Sequence, residues 1–226
     1  MGKSICKQCD FKSAAARTLS EMELDGLESS CAKTSFKPGE IIIKQNALST
    51  NIAYLKSGLV KVHISDPGKE RIMRIIKAPT YLGLSSNFGD KVNQYSVSAL
   101  ENCNVCFLEL TAFKKFIYEN GDFAYNIIMD LSKTELRNFI NCLNNSQKQT
   151  IGRIADAILF LYREIYERPA FILPISRQDL GNLAGTTREN ASRVLTQFHH
   201  EGIILIAGKK ITILNEKLLQ QISEKG

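Results

Sequence analysis

Apolar and polar residues alternate in "LVKVHIS", with Val60, Val62 and Ile64 to one side and Lys61, His63 and Ser65 to the other. A period of two is that of a strand with one buried face. Short apolar stretches recur over residues 36–110, cut by Pro38-Gly39, Ser57-Gly58 and Pro67-Gly68, with Gly83 and Gly89 beyond. Closely spaced strands with glycine turns predict a small antiparallel barrel or sandwich. After residue 111 the pattern changes. Residues 111–145 contain no proline and one glycine, Gly121, and "FAYNIIMDLSKTELRNFINCLNN" predicts a long helix. Ile127, Ile128, Leu131, Phe139, Ile140 and Leu143 give it an apolar stripe, interrupted by Thr134, Asn138 and Asn141. Such a stripe packs against a partner helix or against its own domain.

From residue 146 onward the pattern is mainly helical. Ala155, Ile158, Leu159 and Tyr162 predict one helix over about 148–166, and Pro169 and Pro174 bracket a short extended piece, "AFIL". "SRQDLGNLAGTTRENASRVL" then places Ser176 three residues before Asp179, a capping box, with Ile175 and Leu180 as the hydrophobic staple. Gly185 stops that helix where a left-handed residue is cheapest, and Thr187 caps the next. Ala191, Val194, Leu195 and Phe198 fall on one buried face of the second helix. Glu189, Ser192, Arg193 and Thr196 lie opposite, with Arg188 to the side. Two capped helices joined by a short turn form a helix-turn-helix unit. "GIILIAGKKITIL" adds two apolar strands, 203–206 and 211–214, around an Ala-Gly-Lys-Lys turn, which makes the module winged.

The outward face suits nucleobases. Arginine donates twice to guanine, and glutamate accepts from cytosine. Arg188, Glu189, Ser192 and Arg193 are therefore the candidate base contacts. Arg177, Thr187, Lys209 and Lys210 are the candidate phosphate contacts, at helix starts and the hairpin tip. The same spacing also permits a plain surface ion pair between Glu189 and Arg193.

Composition adds bounds. The 226 residues allow one large domain or two modest ones, and a net charge of +6 permits a polyanionic partner without requiring one. No apolar run approaches the roughly 20 residues that cross a bilayer, and the N-terminus lacks a signal-type stretch, so a cytoplasmic protein without membrane contact is expected. There the six cysteines are expected as thiols, metal ligands or redox sensors rather than structural disulfides. No glycine-rich phosphate loop, nucleophile–base pair or paired acids on one face is found, which argues against an enzyme.

Taken in order, these segments resemble the CRP/FNR family of bacterial transcription regulators. "GRIADAILFL" and "ISRQDLGNLAGTTRENASRVLTQFHHEGII" resemble its DNA-binding domain, and "FKPGEIIIKQN" and "IAYLKSGLVKVHI" resemble the first strands of its effector-binding β-roll. The resemblance implies an α+β chain with four parts. These are an N-terminal tail (1–20), a cyclic-nucleotide-binding-like β-roll (21–110), a long central dimerisation helix region (111–145) and a C-terminal winged helix-turn-helix (146–226). It also implies a homodimer on double-stranded DNA, with RNA polymerase as a further partner and half-sites about one helical turn apart. Glu189, Ser192 and Arg193 match the E-x-x-S-R pattern of the FNR branch, and Arg188, Glu189 and Arg193 the R-E-x-x-x-R pattern of the cyclic-AMP branch. Both imply TGA-containing half-sites and differ on the flanking bases.

The signal is less legible. Cyclic-nucleotide binders of the family hold the phosphate with a Gly-Glu and an Arg. Here Leu84 follows Gly83, Gln94 or Tyr95 stands at the arginine position, and no Arg occurs between Arg74 and Arg137. A buried phosphate without a fixed cation is costly, and Lys91 could serve only in a rearranged loop, which argues against cyclic AMP. Another small ligand or gas in the β-roll would meet Gly83, Leu84, Ser85, Gln94 and Tyr95, with Asn138 of the central helix closing over it. A chain that needs no effector is the alternative.

The FNR branch holds an iron–sulfur cluster with three N-terminal cysteines and one from the β-roll. Cys6, Cys9 and Cys106 match; the third N-terminal cysteine is missing, and after Cys9 the next is Cys31. Cys103, three residues before Cys106, points to the opposite face of a continuous strand. The plainer reading, an unordered N-terminal thiol pair with small buried β-roll cysteines, is preferred here over a metal or redox role. His63, His199 and His200 receive no ligand role. A different class of function, a sensor whose winged domain contacts proteins rather than DNA, remains as a rival.

Overall fold

In the computed structural model, residues 6–226 are described; the first five residues of the expected tail lie outside them. The chain divides into two compact units, one through Gly68 with Arg74–Arg137, the other Lys69–Met73 with Asn138–Gly226.

The first unit begins with two short helices, α1 (Ala14–Arg17) and α2 (Glu21–Ser29). Ser20 and Glu23 form a capping box at the start of α2. Eight strands follow: β1 (Cys31–Phe36), β2 (Ile41–Ile43), β3 (Asn51–Ser57), β4 (Leu59–Asp66), β5 (Lys69–Lys77), β6 (Thr80–Leu82), β7 (Ser96–Ala99) and β8 (Cys103–Glu109). A short helix, α3 (Leu84–Gly89), interrupts them. They form two four-stranded sheets, ordered β1-β8-β3-β6 and β2-β7-β4-β5. Ala53, Leu55, Val60, Val62, Val97, Cys103 and Val105 fill the space between the sheets.

Alternate residues of β3 and β8 face the other way. There Ile52 and Leu108 meet Ala15, Leu24 and Leu27, together with Phe113 and Phe116 of α4 (Leu110–Glu119) and Phe123 and Ile127 of α5 (Gly121–Gln147). The sheet β1-β8-β3-β6 is thus covered on both faces, which explains why "IAYL" is apolar throughout instead of alternating. The expected alternation in β4 holds less strictly. His63 is buried, because its Nε2 lies 2.9 Å from Ser98 Oγ, and Ile64 is only half-buried.

The helix expected over 111–145 is two helices. Asn120 separates them, its Oδ1 accepting from the Phe123 amide at 3.0 Å, so that α4 covers the sheet and α5 starts afresh. On α5, Ile128, Leu136, Phe139, Ile140 and Leu143 are each more than half exposed.

The second unit comprises α6 (Thr150–Phe160), a π-helical turn (Leu161–Tyr166), β9 (Ala170–Ile172), α7 (Arg177–Ala184), α8 (Arg188–His200), β10 (Ile204–Ala207), β11 (Lys210–Ile213) and α9 (Glu216–Lys225). The single helix expected over 148–166 thus changes pitch at Leu161 and ends at Glu167, which is left-handed at φ 52°. "AFIL" supplies β9, which pairs with β11 and makes the hairpin a three-stranded sheet ordered β10-β11-β9. Phe171, Leu180, Leu195, Phe198, Ile204 and Leu219 are buried within this unit. Arg163 pairs with Glu216 at 2.7 Å.

Candidate nucleic-acid interface and cysteine site

The helix-turn-helix forms by the local rules its residues obey. Ser176 Oγ accepts from the Asp179 amide at 3.0 Å and Asp179 accepts from the Ser176 amide at 3.1 Å, so the capping box is made. Ile175 and Leu180 are both buried, as a staple requires. Gly185 is left-handed at φ 63°, and Thr187 Oγ1 accepts from the Asn190 amide at 3.2 Å. Gly181 lets the two helices close: a Cβ there would lie 2.9 Å from the Thr186 carbonyl oxygen and 3.0 Å from Thr187. Gly181→Ala is therefore expected to cost roughly 1–3 kcal/mol by overpacking backbone against backbone. Urea unfolding should show a lower midpoint, and an unchanged midpoint would mean that the turn relaxes freely.

Ala191, Val194, Leu195 and Phe198 are buried, whereas Arg188, Glu189, Arg193 and Thr196 are exposed and Ser192 is half-buried. The ion pair that the spacing allows between Glu189 and Arg193 is not made among the described residues. Arg193 Nη2 instead reaches Asn190 Oδ1 at 3.4 Å. The Glu189 carboxyl is held below the usual range by its own backbone amide first and by Thr187 second. Both side chains stay at the surface.

Lys209 and Lys210 are exposed at the hairpin tip. Arg177 is half-buried at the start of α7, and its Nη1 is enclosed without a hydrogen-bond partner. Burial alone lowers its pKa. An enclosed guanidinium nitrogen with no acceptor is costly. His199 Nδ1, on α8, accepts from the Ile206 amide at 3.4 Å and so ties that helix to β10.

In the first unit, Gly83 begins α3 with φ 79°, Leu84 is buried, and Ser85 Oγ lies 3.5 Å from the Tyr95 hydroxyl. Gln94 donates to Asp90. Asn138 is exposed on α5. Arg74 of β5 is half-buried; burial, the largest cause, and Arg137 lower its pKa while Tyr95 raises it. It is a cation near the effector loop that a reading of the loop alone misses.

The cysteines depart most from expectation. Cys6 and Cys9 are not in an unordered tail: the Cys9 amide donates to the Cys6 carbonyl at 3.3 Å in a tight turn. The Cys6 amide donates to Glu28 at 3.1 Å, the Tyr54 hydroxyl donates to the Phe11 carbonyl at 2.7 Å, and Ser13 and Tyr81 hydroxyls meet at 2.7 Å. These bonds seat the segment on the outer face of β1-β8-β3. Cys6, Cys9, Cys31 and Cys106 there line one cavity, closed mainly by Ala16, Leu24, Leu27 and Leu108. A second cavity of about 250 Å³, with Lys33, Lys56, Ser35, Ser57, Asn104 and Val105 in its walls, also reaches Cys106.

Neighbouring Cys106 first, and burial second, push the Cys31 thiol pKa up. Cys31 in turn brings the Cys106 pKa down to about 7 against burial, helped by Lys56 and Lys33. Burial first, then Glu28, pushes Cys6 up. Cys103 lies on the other face, its thiol 3.4 Å from the Leu59 carbonyl oxygen, as the strand period requires. Among the described residues no three His, Cys, Asp or Glu side chains are grouped so as to hold one metal ion. Cys31 was the residue missed, since nothing local marks it.

Comparison with known proteins agrees with this architecture. Residues 33–120 match the family model of the cyclic nucleotide-binding domain, and residues 152–222 that of the Crp-like helix-turn-helix domain. The fumarate nitrate reduction regulatory protein of Klebsiella oxytoca is 27% identical over 96% of this chain and 90% of its own length. The transcriptional activator protein anr of Pseudomonas aeruginosa is 28% identical over 93% of this chain and 88% of its own. Among solved structures, FixK2 from Bradyrhizobium japonicum is similar with a TM-score of 0.76 at 22% identity, covering 85% of this chain and 96% of that one. No described helix is long and apolar enough to cross a membrane. With both domain models matched in order and whole-length relatives that are transcription regulators, the chain belongs to the CRP/FNR family of DNA-binding transcription regulators.

Proposed function

We propose that this regulator acts as a homodimer, each copy presenting Arg188, Glu189, Ser192 and Arg193 to the major groove of a TGA-containing half-site. The observation that carries the reading is the free edge of α8: Arg188, Glu189 and Arg193 are exposed, and the latter two form no ion pair with each other. Arg177, Thr187, Lys209 and Lys210 would hold the phosphates. The exposed apolar stripe of α5 supports a second copy of the chain as its cover, which puts two recognition helices on one near-palindrome. The division of labour follows: residues 21–110 sense, 111–145 join the copies, and 146–226 read DNA. RNA polymerase is the further partner.

Phosphate neutralisation makes such binding salt-dependent. With Arg177, Lys209 and Lys210 engaged in both copies, a plot of log affinity against log salt is expected to fall with a slope of about −5. Fluorescence anisotropy on a palindromic duplex measures it. A flat plot would favour the rival reading, a winged domain that meets proteins.

For the signal, the loop around Gly83, Leu84, Ser85, Gln94 and Tyr95 has no arginine to hold a phosphate, so cyclic AMP is not proposed as effector. Another small molecule there would be anionic if it met Arg74; Asn138 of α5 would meet the partner copy. A second reading, a redox- or metal-responsive sensor using Cys6, Cys9 and Cys106, is supported by the cavity that contains all three.

A further inference from the structure

The FNR-like reading just given leaves a thiolate unaccounted for. The chain has one N-terminal pair, Cys6 and Cys9, and one strand cysteine, Cys106. Iron–sulfur clusters are commonly held by four thiolates. We infer that Cys31, at the start of β1, is the fourth ligand of an iron–sulfur cluster held with Cys6, Cys9 and Cys106.

The pairing of β1 with β8 supplies the geometry. Lys33 stands opposite Cys106 and Cys31 opposite Leu108, so Cys31 and Cys106 are diagonal neighbours on one face. Both thiols therefore project from one face of the β1–β8 pair into the cavity they line. The Cys6–Cys9 turn brings its two thiols to the same cavity from the other side.

The surroundings fit the group in kind. Soft thiolates are the ligands iron–sulfur clusters take. Leu24, Leu27 and Leu108 give an apolar wall, and Lys33 and Lys56 lie on the Cys106 side, where they offset negative charge. A cluster is larger than one ion and takes thiolates set further apart, in keeping with four cysteines that share a cavity without converging on a single point. When bound, the cluster would supply redox and oxygen reactivity. Cys103 faces the inter-sheet core and Cys142 is exposed on α5, so neither competes for the place.

The test is anaerobic reconstitution of the full chain with ferrous iron and sulfide, read by visible absorption and by iron, sulfide and zinc content. Wild type and Cys142→Ser are expected to carry the cluster, and Cys31→Ser to hold about tenfold less of it. Circular dichroism establishes that each variant is folded, and Cys31→Ala serves if the serine variant is not. If Cys31→Ser retains the wild-type load while Cys106→Ser loses it, the three-cysteine reading stands and the role of Cys31 falls. Zinc in place of iron, or no metal in the wild type, overturns the cluster itself. Salt-dependent DNA binding would persist in those cases, because it depends on α8 and not on the cysteines.

Discussion

Arg193→Ala should remove the preference for TGA-containing sites while leaving the protein folded. Arg193 is exposed, and its one described hydrogen bond is the 3.4 Å contact with Asn190, so its loss should change stability by no more than about 0.5 kcal/mol. On DNA the situation reverses. A bidentate arginine–guanine pair discriminates by about 1–3 kcal/mol, and a two-fold dimer loses it twice, about 2–6 kcal/mol in all. Competition between a TGA-containing palindrome and a scrambled duplex should therefore lose at least about 30-fold of its discrimination. Arg193→Lys should not rescue it, since an ammonium lacks the planar fork. Full retained preference would remove α8 from the role of base reader. Arg188→Ala separates the two family patterns: a changed choice at flanking bases favours R-E-x-x-x-R, and no change favours E-x-x-S-R.

The second large effect concerns the stripe on α5. Leu136, Phe139, Ile140 and Leu143 are 54–63% exposed in the single chain. Covering an apolar side chain of this size contributes roughly 1.5–3 kcal/mol, and a two-fold interface counts each residue twice. Phe139→Asp places a charge there in both copies, and an unpaired charge against apolar neighbours is costly. Sedimentation should then show a monomer at micromolar concentration where the parent is a dimer. Affinity for a full palindrome should drop by about 100-fold or more, because each half-site then binds alone. A Phe139→Asp protein that stays dimeric would move the interface elsewhere. Lys133→Gln, a change on an exposed polar residue of the same helix, is the control.

The winged helix-turn-helix was legible because its signals are local. Ser176, Asp179, Gly185 and Thr187 act within one turn of where they stand, and each makes the bond or dihedral angle its neighbours demand. The split between α4 and α5 was harder. Asn120 caps α5, but an asparagine within an otherwise uninterrupted helical run is a weak signal beside the missing prolines. His63 shows the limit of alternation: period two assigned it outward, and Ser98, 35 residues away, made burial tolerable by accepting its ring nitrogen as a partner.

By itself the order of residues determined the helix caps, the strand period, the separation of Cys103 from Cys106 and the exposed edge of α8, because each depends on spacings of four residues or fewer. Only the tertiary structure decided that Cys31 belongs with Cys6, Cys9 and Cys106. That grouping rests on β1 pairing with β8 some 70 residues later and on Glu28, Tyr54 and Tyr81 seating the N-terminal segment. Contacts so distant in sequence arise from burying a shared apolar face, and a burial energy without direction leaves no local mark on the residues it gathers.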